Sequence, residues 1–342
     1  MGGDHAPAAV IAGAAQALQD FPHITTLFLV GQQEKIEGEL RALGCSDPRL
    51  KIINARDVLE MNEQPVLGLR RKKDTSLARA VDLVKHGEAD AFMSAGNTGG
   101  AVAATMIKLR LLEGVHRAGI ATLLPTPTKP FVLLDAGANT EARPVHLVQY
   151  AAMGSAYART VLGYPNPRIG LMSVGEEDAK GNLLTKEVFE MLKKTHLNFV
   201  GNIEGHDLFE GDVDVVVTDG FVGNIILKTC ESIASALFQW LKDELKKTPT
   251  RMAGAWLAQG AFREIHRKTD YAEYGGAPLL GTRGVTIIAH GSSSPKAIRN
   301  AIRAALEAAK QQLSQTILEE VRRVNEKIEP SLLAESAVAG SR

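Results

Sequence analysis

Cysteine and net charge are both scarce in this sequence. Its 342 residues include only Cys45 and Cys230, which suit neither a disulfide framework nor a cysteine metal site. The 39 basic and 39 acidic residues cancel, so no global field attracts nucleic acid or an anionic membrane. This composition is typical of a reducing compartment, and we expect a cytoplasmic protein that binds no nucleic acid.

Long apolar runs are also absent. No uninterrupted run reaches the roughly 18 residues of a membrane-spanning helix. The N-terminus lacks the basic and apolar regions of a signal peptide. We therefore predict a soluble chain, with attachment to a membrane surface still open. A chain of 342 residues can bury a substantial core as one large α/β domain or two smaller ones.

Short apolar runs alternate with longer stretches of helical periodicity. The runs predict buried parallel strands, and the alternation predicts a three-layer α/β/α fold with a mainly parallel sheet. We expect a single α/β/α domain over residues 1–328 and a flexible tail over 329–342. The predicted strands are 25–30, 50–53, 91–94, 131–135, 168–174, 213–219 and 285–289. The predicted helices include 75–86, 97–112, 144–162, 182–194, 222–246 and about 295–326.

The segment MGGDHAP at the start of the sequence has the pattern of a turn between a strand and a helix. Pro7 suits the first turn of a helix, yet no strand precedes the segment. We expect that either the first strand is absent or the natural start lies upstream.

Glycine, asparagine, aspartate and serine follow five of the predicted strands. In an open parallel sheet the carboxyl ends of strands line the crevice where ligands bind, so we expect the five loops to face one cleft. Glycine at a single strand exit is often only a turn residue, but repetition at five exits favours a ligand site. The segments are SAGNTGG (94–100), DAGANTEARP (135–144), VGEEDAKGN (174–182), TDGFVGN (218–224) and HGSSS (290–294).

The first of these segments joins a glycine turn to a predicted helix N-terminus, which offers unpaired N–H groups to an anion. It lacks the G-x-G-x-x-G spacing, and no glycine loop ends in Gly-Lys-Ser/Thr, so a small phosphate is favoured over NAD or ATP. The alternative is a structural turn in which Asn97 caps the helix. We expect phosphate to bind at Ser94, Gly96, Asn97 and Thr98, with Asn139 nearby.

Eight segments, taken in order along the chain, form a recognisable set: MGGDHAP, SAGNTGG, LLPTPTKPFVLLDAGANTEARPVHLVQYA, MGSAYAR, GEEDAKGN, DGFVGNIILKT, YGGAPLLG and AHGSSS. From residue 1 to about 315 the chain thereby resembles the bacterial phosphate acyltransferase (PlsX) family of phospholipid synthesis. The resemblance implies conversion of acyl-acyl carrier protein and inorganic phosphate to acyl phosphate and free carrier protein. It also implies a fold like that of the phosphotransacetylases and isocitrate dehydrogenase. We expect no cofactor and no bound metal.

The chain departs from the family pattern at two places. Many members have a Cys-Lys pair where this chain has Ala142 and Arg143, so a cysteine nucleophile is excluded there. Members usually begin with a short strand before MGGDHAP, which this sequence lacks. Arg143 and Ser292 join the residues expected to bind phosphate or substrate.

The implied reaction requires phosphate to attack a thioester carbonyl while an oxyanion is stabilised and water is excluded. Phosphate is itself the nucleophile, so no Ser-His-Asp triad is required. We expect Lys180 to neutralise phosphate or the developing oxyanion, unless it is a flexible, solvated lysine. Asn224 suits donation of its amide to the carbonyl oxygen, although a plain helix cap is the alternative.

Two further residues are candidates for catalysis. Asp219 either orients a neighbour or acts as a base, and an ordinary turn aspartate is the competing interpretation. His290 either donates to phosphate or protonates the leaving thiolate, and a structural histidine is the competing interpretation. His5 carries the same ambiguity as His290. Cys230 lies among apolar residues of a predicted helix, so we expect it in the core.

The segment 237–268 mixes aromatic and apolar residues with basic ones. We predict two helices hinged near Thr248–Pro249–Thr250, which form an amphipathic hairpin that projects from the domain. Such a hairpin suits an anionic bilayer, and the alternative is a helical pair buried in a homodimer or against the core. The resemblance favours the contact with the membrane, because acyl phosphate must reach a membrane glycerol-3-phosphate acyltransferase (PlsY). Both interpretations can hold together, with a homodimer formed by the bases of the helices and a peripheral membrane contact formed by the tip.

Three other functions remain open from the sequence. A phosphotransacylase that uses short-chain acyl-CoA shares the chemistry and differs in the carrier. A nicotinamide-dependent dehydrogenase shares the architecture, but the missing dinucleotide fingerprint disfavours it. A non-catalytic membrane scaffold is supported by the hairpin alone.

Overall fold

The computed structural model describes residues 1–269 and 273–339, which form an α/β fold with helices on both faces of a large sheet. The strands are β1 (Leu27–Gly31), β2 (Leu50–Asn54), β3 (Ala91–Ser94), β4 (Gly119–Leu124), β5 (Phe131–Leu134), β6 (Ile169–Met172), β7 (Phe199–Ile203), β8 (Val215–Val217), β9 (Ala277–Leu280) and β10 (Val285–Ile288). The helices are α1 (Ala8–Asp20), α2 (Gln33–Ala42), α3 (Pro65–Arg71), α4 (Ser76–Lys85), α5 (Thr98–Lys108), α6 (Pro144–Thr160), α7 (Leu183–Leu192), α8 (Gly220–Leu245), α9 (Pro249–Leu257), α10 (Gln259–Thr269), α11 (Pro295–Lys310) and α12 (Leu313–Ala339).

The main sheet has eight strands in the order β3-β10-β9-β4-β5-β8-β6-β7, and β1 and β2 form a separate parallel pair. Strands at both ends of the main sheet are parallel to their neighbours. In the middle, β10 with β9, β9 with β4, and β4 with β5 are antiparallel. The predicted mainly parallel α/β fold is confirmed.

Strand direction divides the polar loops into two groups. Because three successive pairings in the middle of the sheet are antiparallel, β3 and β10 end at one edge, whereas β5, β8 and β6 end at the opposite edge. The expectation that all five loops leave one edge of the sheet is therefore wrong. Its physical cause is the reversal through β9 and β4, two strands that the apolar runs did not reveal.

Helix α6 is the central element of the core. Every residue from Val145 to Ala158 is buried, because the helix packs against β5, β8, α7 and α12. Its apolar side chains share one large cluster with those of β6, β8 and α12. A helix that is enclosed in this way fixes the position of the loop that leads into it.

The C-terminal region consists of two helices where one was predicted. Gln312 adopts a left-handed conformation with φ of 51° and separates α11 from α12. Helix α12 continues to Ala339, and the flexibility expected of residues 329–342 stays a prediction. The rest of the predicted tail, 340–342, lies outside the described residues.

Helices α8, α9 and α10 form a largely exposed part of the fold. Only Gly220 and Gly223 of α8 are buried, and Cys230 is half-buried instead of lying in the core. Among the described residues, α8 is the single helix long and apolar enough to cross a membrane, with 6% of that stretch buried. The turn lies where it was predicted, since the Thr248 side chain caps α9. The second half of the predicted hairpin is two short helices, α9 and α10.

Ion pairs with one buried carboxylate attach α12 to the rest of the fold. The carboxylate of Glu320 is 3% exposed and accepts hydrogen bonds from Arg159, at 2.8 Å, and from His196. Burial acts to raise the pKa of Glu320, but the hydrogen bonds from Arg159 and His196 outweigh it and lower the pKa.

We expect Glu320→Gln to lower the free energy of unfolding by about 1–3 kcal/mol at pH 7, because it leaves Arg159 without a counter-charge. The lowered pKa means that the wild type loses this stabilisation as the pH falls below the ordinary carboxyl value of 4.5, whereas the variant has none to lose. Urea unfolding between pH 3 and pH 7 measures both effects. Exposed Glu319→Gln is the control, and equal stability of the two variants would contradict the prediction.

Candidate active site

A buried carboxylate organises the loop that follows β5. Asp135 is fully buried. Its Oδ1 accepts from the backbone N–H groups of Ile120, Gly137 and Ala138 at 2.9–3.0 Å, and its Oδ2 accepts from that of Asn139 at 2.7 Å. Burial raises the pKa of this carboxyl, while the four hydrogen bonds oppose the rise. Because it is fully buried and bound to four backbone N–H groups, Asp135 shapes the loop.

Glycines allow helix α8 to begin directly on this loop. The N–H of Gly220 donates to the carbonyl of Asn139 at 2.9 Å. A Cβ on Gly220 would lie 2.7 Å from Oδ2 of Asp135, and a Cβ on Gly223 would lie 1.9 Å from the Asp135 carbonyl oxygen. The two glycines of the DGFVGN segment are therefore required by the close approach of two backbones.

Asp219 is the cap of α8. Its Oδ1 accepts from the N–H groups of Phe221 at 2.9 Å and Val222 at 3.0 Å. This geometry supports the structural interpretation of Asp219, because one carboxylate oxygen is committed to the helix end.

Asn224 lies one turn inside α8, so the plain-cap alternative for this residue is wrong. Its side chain is exposed and lies over the bend at Gly137, whose φ is 135°. A Cβ on Gly137 would lie 3.5 Å from the Asn224 Oδ1. Asn224 thus presents an amide at the outer surface of the loop that Asp135 organises.

Lys180 stands in the loop between β6 and α7. Its N–H donates to the carbonyl of Glu177 at 2.9 Å, and a Cβ on Gly175 would lie 2.8 Å from its Cγ. The side chain is exposed. Because β5, β8 and β6 are consecutive parallel neighbours, the structure brings Lys180, Asp219 and Asn224 to one edge of the sheet, together with Asn139 and Arg143.

The first turn of α6 holds a residue that the sequence analysis missed. Nδ1 of His146 accepts from the N–H of Arg143 at 3.0 Å and lies 3.3 Å from Nδ2 of Asn139. Burial, followed by the charges of Arg143 and Arg117 and by His116, lowers the pKa of His146 to about 4. The ring is therefore neutral at pH 7. His146 lies among apolar residues of a predicted helix, so the sequence analysis overlooked it. Its position three residues after Arg143 could have revealed it, because that spacing lets the side chain accept from the N–H of the residue before the helix.

At the opposite edge, the N-terminal loop joins the exits of β3 and β10. The N–H of Asp4 donates to the Gly291 carbonyl at 2.8 Å. A Cβ on Gly3 would lie 2.8 Å from the Ala95 carbonyl oxygen. The hydroxyl of Ser94 accepts from the N–H of Gly96 at 3.1 Å. This edge therefore holds Ser94, Gly96, Asn97, Thr98, His290 and Ser292.

Asn97 is fully engaged in local structure. Its Oδ1 accepts from the N–H of Gly100 at 2.8 Å, which caps α5. Its Nδ2 donates to the backbone carbonyls of residues 60, 61 and 63 at 3.0–3.1 Å. The Asn97 side chain thus caps α5 and holds the backbone of residues 60–63 beside it. An anion at this helix would bind to the N–H groups of Thr98 and Gly99 instead.

His290 and Ser292 contact each other within the loop after β10. Nδ1 of His290 lies 2.7 Å from the Ser292 hydroxyl and accepts from the Ser292 N–H at 3.2 Å. The imidazole is exposed. This contact orients the ring and supports a structural role without settling the predicted proton transfer.

The two edges are connected through a single face of the sheet. Val102 and Met106 of α5 and Leu227 of α8 pack against the same buried cluster, which includes Ala136 and Ile288. Helices α5 and α8 therefore cover one face, and the two groups of polar loops stand at its two ends.

The chain matches one protein family along most of its length. A family model described as a fatty acid synthesis protein matches residues 1–316. A phosphate acyltransferase of Akkermansia muciniphila is 52% identical over 330 residues, which is 95% of this chain and 95% of that protein. A phosphate acyltransferase of Desulfitobacterium hafniense strain Y51 is 48% identical over 324 residues, which is 94% of this chain and 96% of that protein.

The fold has relatives among solved structures. A phosphotransacetylase from Streptococcus pyogenes superposes with a TM-score of 0.61 at 17% identity, covering 88% of this chain and 91% of that one. At this identity the similarity concerns the fold alone. The phosphotransacetylase-like architecture expected from the sequence is confirmed.

We expect Gly223→Ala to lower the free energy of unfolding by about 1–3 kcal/mol or more, because the new methyl group would overlap the Asp135 carbonyl oxygen. Gly254→Ala in α9 is the control, since its Cβ would meet nothing within 4 Å. The control should be neutral or stabilising by up to about 1 kcal/mol. Urea unfolding of both variants tests the prediction, which fails if Gly223→Ala is as stable as the control.

We expect the His146 ring to titrate near pH 4, well below the ordinary value of 6.5, because burial and two arginines disfavour its charged form. A lowered folded-state pKa means that stability is lost as the pH falls from 6.5 towards 4. A pH titration of the histidine ring protons by NMR, with His146→Asn for assignment, measures the value. An ordinary titration near 6.5 would contradict the structure.

Proposed function

The chain belongs to the fatty acid synthesis protein family of phosphate acyltransferases, and we propose that it transfers a long-chain acyl group from acyl carrier protein to inorganic phosphate. The family model covers residues 1–316, and both curated relatives named above are phosphate acyltransferases. The resemblance inferred from the eight sequence segments is thereby confirmed. An acyl donor and phosphate are the substrates of such an enzyme. The carrier protein, the chain length and the place in phospholipid synthesis are our proposal.

The observation that best supports a long acyl chain is the surface beside Asn224. A thioester needs a donor for its carbonyl oxygen and an apolar surface for its chain. Asn224 presents an exposed amide, and α8 continues from it with exposed Ile225, Ile233 and Leu237, each at least half exposed. The polar and apolar requirements are therefore met on one helix.

The reaction follows from these groups. A phosphate oxygen attacks the thioester carbonyl carbon, the carbon–sulfur bond breaks, and the carrier thiolate leaves and takes a proton from solvent. Asn224 donates to the oxyanion, and Lys180 neutralises negative charge on phosphate or the oxyanion. The loss of one such donor typically costs about 10²–10³ in rate. Asn139 and Arg143 stand at the same edge of the sheet as Asn224 and Lys180, so they hold the attacking phosphate, while Asp219 caps the helix that carries Asn224. The other candidates stand at the opposite edge and are not assigned to this phosphate: Ser94, Gly96, Thr98, His290 and Ser292.

A short-chain acyl-CoA donor is the second candidate. The phosphotransacetylase fold suits it, and the chemistry is the same. The exposed apolar face of α8 favours the long chain, because an acetyl group needs no such surface. The donor is therefore decided by comparing acyl carrier protein thioesters with acetyl-CoA.

We also propose that the protein is a cytoplasmic homodimer that associates peripherally with the membrane. Trp240 and Leu241, near the C-terminal end of α8, are 64% and 39% exposed and suit contact with a second copy of the chain. The next helix exposes Met252, Trp256 and Leu257, at 55%, 68% and 78%, beside the basic Arg251. Apolar and basic residues in one exposed segment suit an anionic bilayer. Delivery of acyl phosphate to the membrane acyltransferase PlsY would then occur at the lipid surface.

We expect the purified protein to form acyl phosphate from palmitoyl-acyl carrier protein only when phosphate is present, with stoichiometric release of carrier thiol. Hydroxylamine trapping and thiol titration measure the two products. Asn224→Ala and Lys180→Met should each lower kcat by about 10²–10³ because each removes a charge-stabilising group. Asn166→Ala and Lys186→Met are matched exposed controls. Activity with acetyl-CoA alone would assign the short-chain function, and no product from either donor would refute the proposal.

We expect binding to phosphatidylglycerol vesicles to weaken at least about tenfold in a Trp256→Ala, Leu257→Ala double variant, because most of the apolar area that enters the bilayer is removed. Vesicle co-sedimentation measures the affinity. Ile107→Ala, an exposed apolar residue of α5, is the control. Equal binding of all three proteins would exclude α9 as the lipid contact.

A further inference from the structure

The helix that follows β5 contains a buried donor that the protein leaves unsatisfied. His146 is 2% exposed, and its Nε2 is buried without a hydrogen-bond partner among the described residues. Its Nδ1 accepts from the N–H of Arg143 at 3.0 Å, so in the neutral ring the proton is on Nε2. A buried N–H without an acceptor costs free energy, so a missing partner is expected at this atom.

Two positively charged side chains lie near His146. Arg117 and Arg143 have exposed side chains that lie close enough to depress the pKa of His146, and the ring of His116 is edge-on at 6.4 Å. A guanidinium carries donors and no acceptor, so neither arginine can satisfy Nε2. An anion with several acceptor oxygens fits here, because it can accept from Nε2 and from the two guanidinium groups at once.

The backbone adds to this preference for an anion. His146 is the third residue of α6, a helix of 17 residues whose N-terminal end begins at Pro144. The positive end of the helix dipole favours an oxyanion. Nδ2 of Asn139 lies 3.3 Å from Nδ1 of His146, the nitrogen that also accepts from the Arg143 N–H, so it does not contribute to the site at Nε2. The buried Nε2, the two guanidinium groups and the helix end all point to one kind of ligand.

We propose that His146, Arg117 and Arg143 form a binding site for a phosphate group at the N-terminal end of α6. The Nε2 proton of His146 and the two guanidinium groups donate to phosphate oxygens. Both arginine side chains are exposed, so their guanidinium groups can meet an anion from solvent. His146 has a pKa of about 4 and is neutral at pH 7. It therefore donates an N–H to the phosphate without adding a positive charge to those of the two arginines.

The position of this site connects it to the reaction. The carbonyl of Asn139 accepts from Gly220 at the start of α8, and Gly137 lies against Asn224. A phosphate at α6 therefore stands beside the amide expected to receive the thioester oxygen. The ligand is either inorganic phosphate or the phosphodiester of the pantetheine arm of the carrier, and this choice rests on the proposed function.

Binding of inorganic phosphate tests the site without relying on catalysis. In the wild type, phosphate should raise the pKa of His146, measured from its ring protons by NMR. The dissociation constant should rise at least about tenfold in Arg143→Gln and in Arg117→Gln. Exposed Arg41→Gln on α2 should bind as the wild type does. An unchanged His146 pKa together with equal affinity in all variants would overturn the proposal.

A pair of histidine variants separates binding from folding. His146→Asn keeps an acceptor near the position of Nδ1 and lacks the Nε2 proton, so it should retain the thermal stability of the wild type and lose phosphate affinity. His146→Gln keeps a donor near Nε2 and loses the acceptor for Arg143, so it should be less stable and still bind phosphate. Equal phosphate affinity of the two variants would contradict the assigned role of Nε2.

Steady-state kinetics identify the source of the phosphate group. A higher KM for phosphate in Arg143→Gln, with an unchanged KM for acyl carrier protein, assigns the site to the acceptor substrate, and the reverse result assigns it to the pantetheine arm. If neither KM changes in an active enzyme, the site is refuted and the proposed function stands. If the wild type binds phosphate through His146 and forms no acyl phosphate, the site stands and the proposed function fails.

Discussion

The geometry of the candidate site depends on one buried carboxylate, that of Asp135, and on the four backbone N–H groups that donate to it. Burying a carboxylate costs free energy, and these hydrogen bonds offset that cost. They also fold residues 135–139 into a tight bend. Gly220 and Gly223 have no side chains, so the backbone of α8 can approach this bend closely. Helix α8 can therefore begin directly on the bend, and Asn224 reaches the surface one turn later.

This arrangement links the core to the chemistry. Helix α6 is buried along nearly its whole length, so its N-terminal end, with Arg143 and His146, is held in place by packing. Helix α8 is exposed along nearly its whole length, so it offers an apolar surface beside a fixed polar loop. An acyl thioester and phosphate need this combination: rigid donors for developing charge and an apolar path for the chain. The family membership supplies the reaction, and the bend at Asp135 explains how these residues could carry it out.

All seven strands predicted from apolar runs are present, and the motif order was sufficient to recognise the family. The sequence did not reveal β4, β7 and β9. The apolar residues of β4 continue into a proline-rich loop, Gly201 interrupts β7, and β9 is short and contains Pro278. Missing β4 and β9 concealed the reversal that separates the loops. Asn97 was predicted by residue type to bind phosphate, but its hydrogen bonds to distant carbonyls could be known only from the fold. His146 was missed because only the fold shows that its Nε2 N–H has no partner among the described residues.

The most direct test of the central claim is to supply phosphate labelled with oxygen-18 and to follow the label in the products by mass spectrometry. The account predicts acyl phosphate in which every phosphate oxygen, including the one bonded to the acyl carbon, carries the label, because a phosphate oxygen attacks the thioester directly. Free fatty acid that carries oxygen from water, with no labelled acyl phosphate, would show that water is the nucleophile and would contradict the account.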